Sequence, residues 1–349
     1  ITMIFLGIGL GQLLFGPLSD SFGRKPIVFI GFGVFIIASI ICITTKSFEM
    51  MIFGRILQGI GLSAPRTISI AIIRDSYSGD RMAKVMSCVA VIFLLVPIIA
   101  PAMGKYVLDH FNWQAIFYTQ IGFCCIIALW FWKRQDETLL VEKRIKFTKN
   151  LFIDGFKELI KYPNTIGYTI ISGFVMGSFM VYLSSSQQVF QDQYFLKEEF
   201  PYIFAGLAIS MGLAIFLNGI LVMKLGMKKI IDFSMLGYML VSLTYVLLFS
   251  QTKNPSIEVL LLFFAAQFFT IGFLFGNLRA MAMQPVGHIA GIASAITGLI
   301  STLMAVSISV FIGRYISDTV LPLFIGFFVC SSCSIFIIIY LSRINKKIN

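Results

Sequence analysis

Two arginines, Arg55 and Arg66, stand inside the otherwise apolar and small-residue run 48–73. A guanidinium keeps its charge at any accessible pH and is costly in hydrocarbon, so it faces a polar interior or a water-filled cavity, or else reaches the interface along its own stem. Eleven residues separate the two, about 20° past three full helical turns, and Gln58, Gly59 and Ser69 fall on roughly the same side. This pattern predicts a helix with an inward polar stripe, and Arg55, Gln58 and Arg66 are the candidates for a substrate cavity or for coupling. The competing reading is a structural or snorkelling pair. The chemistry on offer is recognition and passage of a polar group. The sequence shows no nucleophile–base pair, phosphate loop or metal cluster, which argues against an enzyme.

A second group lies in a charged turn between two apolar runs, Gly16-Pro17-Leu18-Ser19-Asp20-Ser21-Phe22-Gly23-Arg24-Lys25-Pro26. Gly16 and Pro17 are expected to end the helix before it. Gly23 supplies a position free of Cβ restriction, and Pro26 fits the first turn of the next helix. Asp20 lies beside helix ends, while Arg24 and Lys25 mark the cytoplasmic side. Farther on, Asp75 follows Arg74 in a loop that also holds Asp80 and Arg81. Either these charges are simply solvated, or Asp75 pairs with Arg24 or Arg81 and latches a cytoplasmic gate. The run 96–104 places Pro97 and Pro101 four residues apart, with Gly104 after them. Each proline removes a backbone donor, which predicts a bend.

These residues need long apolar helices to position them. Of 349 residues, 58% are hydrophobic and 12% charged, with a mean hydropathy of +0.91, so the chain is an all-α membrane protein rather than a soluble domain. Eleven spans follow: 1–18, 27–45, 48–73, 85–108, 115–132, 165–189, 203–222, 230–250, 257–278, 289–312 and 320–341. With the first loop inside, twenty of the 27 Lys and Arg, Arg279 among them, fall on the cytoplasmic side and five outside. That bias fixes the orientation and explains the net charge of +11 without nucleic acid. The expected organisation is 1–132 as one half, 133–164 as a cytoplasmic linker and 165–349 as the other half. The amphipathic piece 151–160 is expected to lie along the membrane surface.

The halves repeat. Gly16, Leu18, Gly23 and Lys25 recur as Gly219, Leu221, Gly226 and Lys228, each displaced by 203. The same offset carries the last three spans onto first-half spans and carries 165–189 to positions before residue 1. The expectation is that a further helix precedes residue 1.

The order of Gly, Leu, Asp, Gly, Arg and Lys in the first turn resembles the signature loop of the major facilitator superfamily. Arg55-Ile56-Leu57-Gln58-Gly59 resembles that family's motif of proton-coupled members, and 96–104 resembles its antiporter motif, with Ala100 and Lys105 where glycines are usual. The latter variant, with Asn112-Trp113-Gln114-Ala115-Ile116-Phe117 and Glu137-Thr138-Leu139, is similar to the bicyclomycin and chloramphenicol resistance branch. The resemblance implies the superfamily fold, with eleven of twelve transmembrane helices in two pseudo-symmetric halves. It further implies a proton-coupled multidrug exporter of the bacterial inner membrane working by alternating access. Its partners would be amphipathic small molecules, protons and the bilayer, with no cofactor beyond the proton as coupling ion. Arg55, Gln58 and Arg66 would serve the cavity. Gly16, Asp20, Gly23, Arg24 and Asp75 would serve the gate, and Pro97, Pro101 and Gly104 the coupling helix. Two other readings stay open: transport of a small polar metabolite, and a non-transporting membrane sensor.

Polar residues of 165–189 and Gln267, Thr270 and Asn277 of 257–278 predict that these spans join 48–73 in lining the path, with 27–45 and 320–341 facing lipid. Gly7 with Gly11, and Gly287 with Gly291 and Ala295, mark close-packing faces. The six cysteines, including Cys330 and Cys333, fall in apolar runs and are expected to be small packing residues. None of the sixteen acidic residues sits near the middle of a span. In the resembling branch the coupling acid belongs to the first helix, so the 349 residues alone are expected to be inactive.

Overall fold

All regular structure in the described residues is helical. The computed structural model describes residues 2–77, 79–144, 150–251 and 254–348. The apolar runs become α1 (Thr2–Phe22), α2 (Arg24–Thr44), α3 (Phe48–Ser76), α4 (Gly79–His110) and α5 (Gln114–Arg134), then α7 (Pro163–Gln187), α8 (Phe200–Leu225), α9 (Met227–Phe249), α10 (Ile257–Met283), α11 (Ala290–Gly313) and α12 (Leu321–Ile348). Between the sets lies the amphipathic α6 (Asn150–Ile160). Ten helices are long and apolar enough to cross a membrane on the described residues, and α4 supplies the remaining run expected from sequence. α6 does not lie alone along a surface, because its Leu159 is buried against Val286, Ala293 and Ile296.

The first turn is tighter than its sequence predicts. α1 does not stop at Gly16 or Pro17 but runs through them to Phe22. Within its last turn Ser19 Oγ donates to Gly16 O at 2.8 Å and Ser21 Oγ to Pro17 O at 3.1 Å. The whole reversal falls on Gly23, at φ 103° and ψ 157°, a conformation in which a Cβ is strained. Gly226, displaced by 203, divides α8 from α9 at φ 80° and ψ 150°. The repeat is thus visible in backbone geometry as well as in residue type.

Within the first half, α1 and α2 pack against α3 through small residues. Gly7 lies against the Ile56 carbonyl, Gly11 against Ser63 and Gly31 against Ala64, so closely that a side chain at any of them would overlap. Within the second half, α7, α9, α10 and α12 enclose an aromatic core that includes Tyr182, Tyr238, Phe264, Phe268 and Phe327. Tyr245 stacks on Phe324 there, with ring centroids 3.7 Å apart. Ser178, Tyr182, Ser185 and Ser186 of α7 are buried in the packing of this half. Ser178 and Ser185 are satisfied by the carbonyls of Phe174 and Val181, so these two do not line a path, whereas Ser184 and Gln187 of the same row are exposed. The small face expected around Gly291 is also open, with nothing within 4 Å of a Cβ placed there. The halves meet along α1–α11 and α4–α8, and Lys105 of α4 pairs with Glu198, just before α8.

The two turn glycines separate backbone strain from crowding. An alanine Cβ at Gly23 would stand 2.7 Å from Glu137 Oε2, whereas one at Gly226 meets nothing within 4 Å. Each substitution is expected to cost about 1–3 kcal/mol in strain. Gly23→Ala should lower the unfolding temperature in detergent more than Gly226→Ala, and equal losses would contradict the described contact.

Candidate functional site: a cationic cavity between the halves

Where Gly23 ends α1, the chain must satisfy the free N–H groups that open α2. No side chain of the turn does so. Glu137, after α5, accepts from the backbone N–H of Arg24 at 2.9 Å through Oε1 and from that of Lys25 at 3.0 Å through Oε2. It also accepts from the N–H of Leu139 at 2.9 Å. Burial works against the charge on Glu137, but these three donors and the nearby Arg144 outweigh it and hold the carboxyl below its ordinary pKa. Lys25 Nζ donates to the Trp132 carbonyl at 3.0 Å. The segment after α5 is thereby fastened to the start of α2.

Arg24 itself is buried, with 4% of its surface exposed. Its Nε donates to Asp75 Oδ2 at 2.9 Å, and its Nη1 to Asp20 Oδ1 at 2.5 Å and to Ser19 Oγ at 2.8 Å. Thr138 Oγ1 adds a 3.4 Å bond to Asp75. The cluster joins the ends of α1 and α3 to the start of α2. Among the described residues it makes no ion pair to the second half, so it clamps one half rather than bolting the two together.

Beside it, between α1, α3, α10 and α11, lies a cavity of about 470 Å³ at the cytoplasmic end of the bundle. Gly16, Asp20 and Arg24 line it from the first turn, and Arg66 and Arg74 from α3. Across from them stand Arg279 of α10 and Gly291, Ser294 and Ala295 of α11. Ile70, Ala71, Ile289 and Ile292 provide apolar wall. The space offers cationic and apolar surface together, suited to holding an amphipathic molecule.

The candidate residues are not all brought together. Arg66 lines the cavity, but Arg55 and Gln58 do not. They share a helix side with Arg66 yet lie roughly 12–16 Å from it along the axis, and they find partners inside the first half. Arg55 donates to Gln58 Oε1 at 3.2 Å, Gln58 Nε2 donates to Ser39 Oγ at 2.7 Å, and the Arg55 guanidinium lies 4.5 Å from the centre of the Phe117 ring. α4 is continuous through Pro97, Pro101 and Gly104. The side-chain surroundings of Pro97 lie outside the described residues, and Gly104 has open space beside it. Sequence reasoning missed Arg279, which it left in a cytoplasmic loop because the apolar run ends at Leu278. The helix continues to Met283 and carries Arg279 into the cavity. It also missed the capping by Glu137, a contact across more than a hundred residues that no local pattern announces.

Residues 1–309 match the profile of the Major Facilitator Superfamily. The chain belongs to this superfamily. A bicyclomycin resistance protein homolog of Haemophilus influenzae is 27% identical over 357 residues, covering 99% of this chain and 87% of that protein. The MFS-type transporter YdgK of Bacillus subtilis is 29% identical, covering 90% of this chain and 78% of its own length. The multidrug resistance protein MdtL of Salmonella schwarzengrund is 34% identical over 128 residues, 37% of this chain and 32% of that protein. Among solved structures, the human organic anion transporter MFSD10 (TETRAN) superposes with a TM-score of 0.70 at 16% identity, covering 97% of this chain and 83% of that one; at that identity the likeness concerns the fold. As a superfamily member the chain is a transporter of small molecules and not an enzyme, multi-pass in the bacterial inner membrane.

The clamp predicts an order of effects. Removing one partner of a fully buried pair costs about 3–5 kcal/mol, and Asp20 stays behind to answer Arg24, so Asp75→Asn is expected to cost roughly 1–2 kcal/mol. Asp20→Asn should cost less, because the Asp20 side chain is 37% exposed against 19% for Asp75. Thermal unfolding of the two variants, with labelling of cysteines placed at each mouth of the bundle, measures both stability and the inward and outward populations. If Asp75→Asn leaves stability and populations unchanged, the clamp has no such role.

Proposed function

We propose that the protein exports amphipathic small molecules from the cytoplasm by proton-coupled alternating access. In this reading 1–132 and 165–349 move as two bodies joined by 133–164. They rock along α1–α11 and α4–α8 so that a cavity loaded at the cytoplasmic end is later exposed on the other side. The observation that carries the proposal is the cavity itself. It lies between elements of both halves, at the cytoplasmic mouth, and combines guanidinium groups with an apolar wall. An exporter of amphipathic molecules needs such a place for loading.

The names of two relatives, one a bicyclomycin resistance homolog and one a multidrug resistance protein, support a drug-like cargo. In the same reading Arg55 and Gln58 tune the packing of α2, α3 and α5 during the movement. Pro97, Pro101 and Gly104 allow α4 to flex where the halves meet. The proton is the proposed coupling ion. No carboxylate is among the buried described residues, so the coupling acid is not assigned to any of them.

Accumulation of chloramphenicol-like and bicyclomycin-like compounds in cells lacking their own exporters, with and without the full-length protein, provides the test. Lower accumulation that a protonophore abolishes is expected. Accumulation that is unchanged for every compound, or that rises while the gradient is intact, would overturn export in favour of uptake of a polar metabolite or a sensor that moves nothing.

A further inference from the structure

The charges around the cavity do not balance. Four arginines and one aspartate line it, and that aspartate, Asp20, is already engaged with Arg24. Of the other three, Arg74 is exposed, and Arg66 and Arg279 face the space from opposite halves, one on α3 and the other on α10. Among the described residues neither pairs with a carboxylate. Among the described residues Arg279 makes a single neutral contact, Nη2 to Ser294 Oγ at 3.1 Å.

Two like charges converging in a confined space without a counter-ion are unfavourable. One kind of guest answers both charges: an oxyanion, which accepts charge-assisted hydrogen bonds from both forks. The wall formed by Ile70, Ile289 and Ile292 then suits an apolar body attached to it.

We propose that Arg66 and Arg279 form a clamp for the anionic group, a carboxylate, sulfonate or phosphate, of an amphipathic molecule. The proposal deepens the transport reading and rests on it only for what happens to the guest after binding. Because the two arginines belong to different halves, an anion between them replaces a repulsion with a bridge. Loading then favours closure of the cytoplasmic mouth, and an empty cavity resists it. The same chemistry would be presented by a free amphipathic anion or by the headgroup of an anionic lipid.

The test measures binding to the purified full chain by isothermal titration in neutral detergent, with a naphthalene sulfonate as probe and the corresponding uncharged naphthalene alcohol as control. The sulfonate is expected to bind more tightly than the alcohol and to weaken with added salt, while the alcohol does not respond. Arg66→Ala and Arg279→Ala should each weaken the sulfonate by roughly tenfold or more, the loss of one charged hydrogen-bonding partner. Arg279→Lys, which keeps the charge, should retain part of the affinity and guards against a variant that fails to fold.

Equal affinity for sulfonate and alcohol, or sulfonate binding that is unchanged in both alanine variants, overturns the clamp. Repeating the titration in nanodiscs of phosphatidylcholine with or without phosphatidylglycerol distinguishes the sources. Competition by phosphatidylglycerol that Arg279→Ala abolishes identifies the headgroup, and its absence identifies the free anion. The binding readout needs no flux, so failure of export in cells would refute the transport reading and leave the clamp to be judged on its own result.

Discussion

A buried guanidinium has to be answered, and the cytoplasmic edge of the first half is built around that need. Arg24 follows directly on the one-residue reversal at Gly23, which puts its side chain against the end of α1 and the end of α3. Its charge is met by Asp20 and Asp75 from those two helices, and its backbone N–H by Glu137 from beyond α5. Desolvating a cation is tolerable only when its partners are held in place. The arrangement therefore works in both directions, with the helices positioning the carboxylates and the charge fixing the helix ends. The cavity wall formed by Gly16, Asp20 and Arg24 inherits its shape from this cluster.

The second half keeps the geometry of the turn and its lysine but not the aspartate–arginine cluster. Gly226 repeats the positive φ of Gly23, but Met223, Met227 and Leu278 stand where the offset of 203 would place counterparts of Asp20, Arg24 and Asp75. Met223 is 86% exposed and makes no ion pair possible there. The second half instead takes its cohesion from aromatic packing, with Tyr245 on Phe324 and Tyr182 against Phe268. One half is thus pinned at its cytoplasmic rim by electrostatics and the other through its core, and the cavity opens where these two constructions meet. A duplicated backbone with unequal chemistry fits a machine in which one side of the cleft supplies a rigid edge and the other an adaptable one.

Much of this was legible in the sequence, and the failures have common physical causes. Apolar run lengths placed the spanning helices, because the bilayer imposes the length and the backbone must satisfy itself. Glycine identity marked both reversals, since only glycine takes up those dihedral angles without strain. The close approach at Gly7 and Gly11 was equally readable. Errors arose where a local rule met a tertiary contact. Pro17 was expected to stop α1, yet the helix runs through it to Phe22. Hydroxyls along α7 implied a wet face, yet those of Ser178 and Ser185 bond to carbonyls of their own helix inside a packed half. Arg279 looked like a loop residue because hydropathy falls before the helix ends. Helical phase put Arg55 and Arg66 on one side, but phase says nothing about depth, and only Arg66 reaches the cavity.

The central claim is that the two halves close at one end as they open at the other. Electron–electron double resonance measures this most directly, on a cysteine-free background carrying spin labels at Phe22→Cys and Gln284→Cys for the cytoplasmic mouth, and separately at Phe111→Cys and Tyr202→Cys for the outer mouth. On adding a chloramphenicol-like compound and shifting the pH, the cytoplasmic distance should shorten while the outer distance lengthens. Distances that stay fixed at both ends, or that change in the same direction, would contradict alternating access around this cavity.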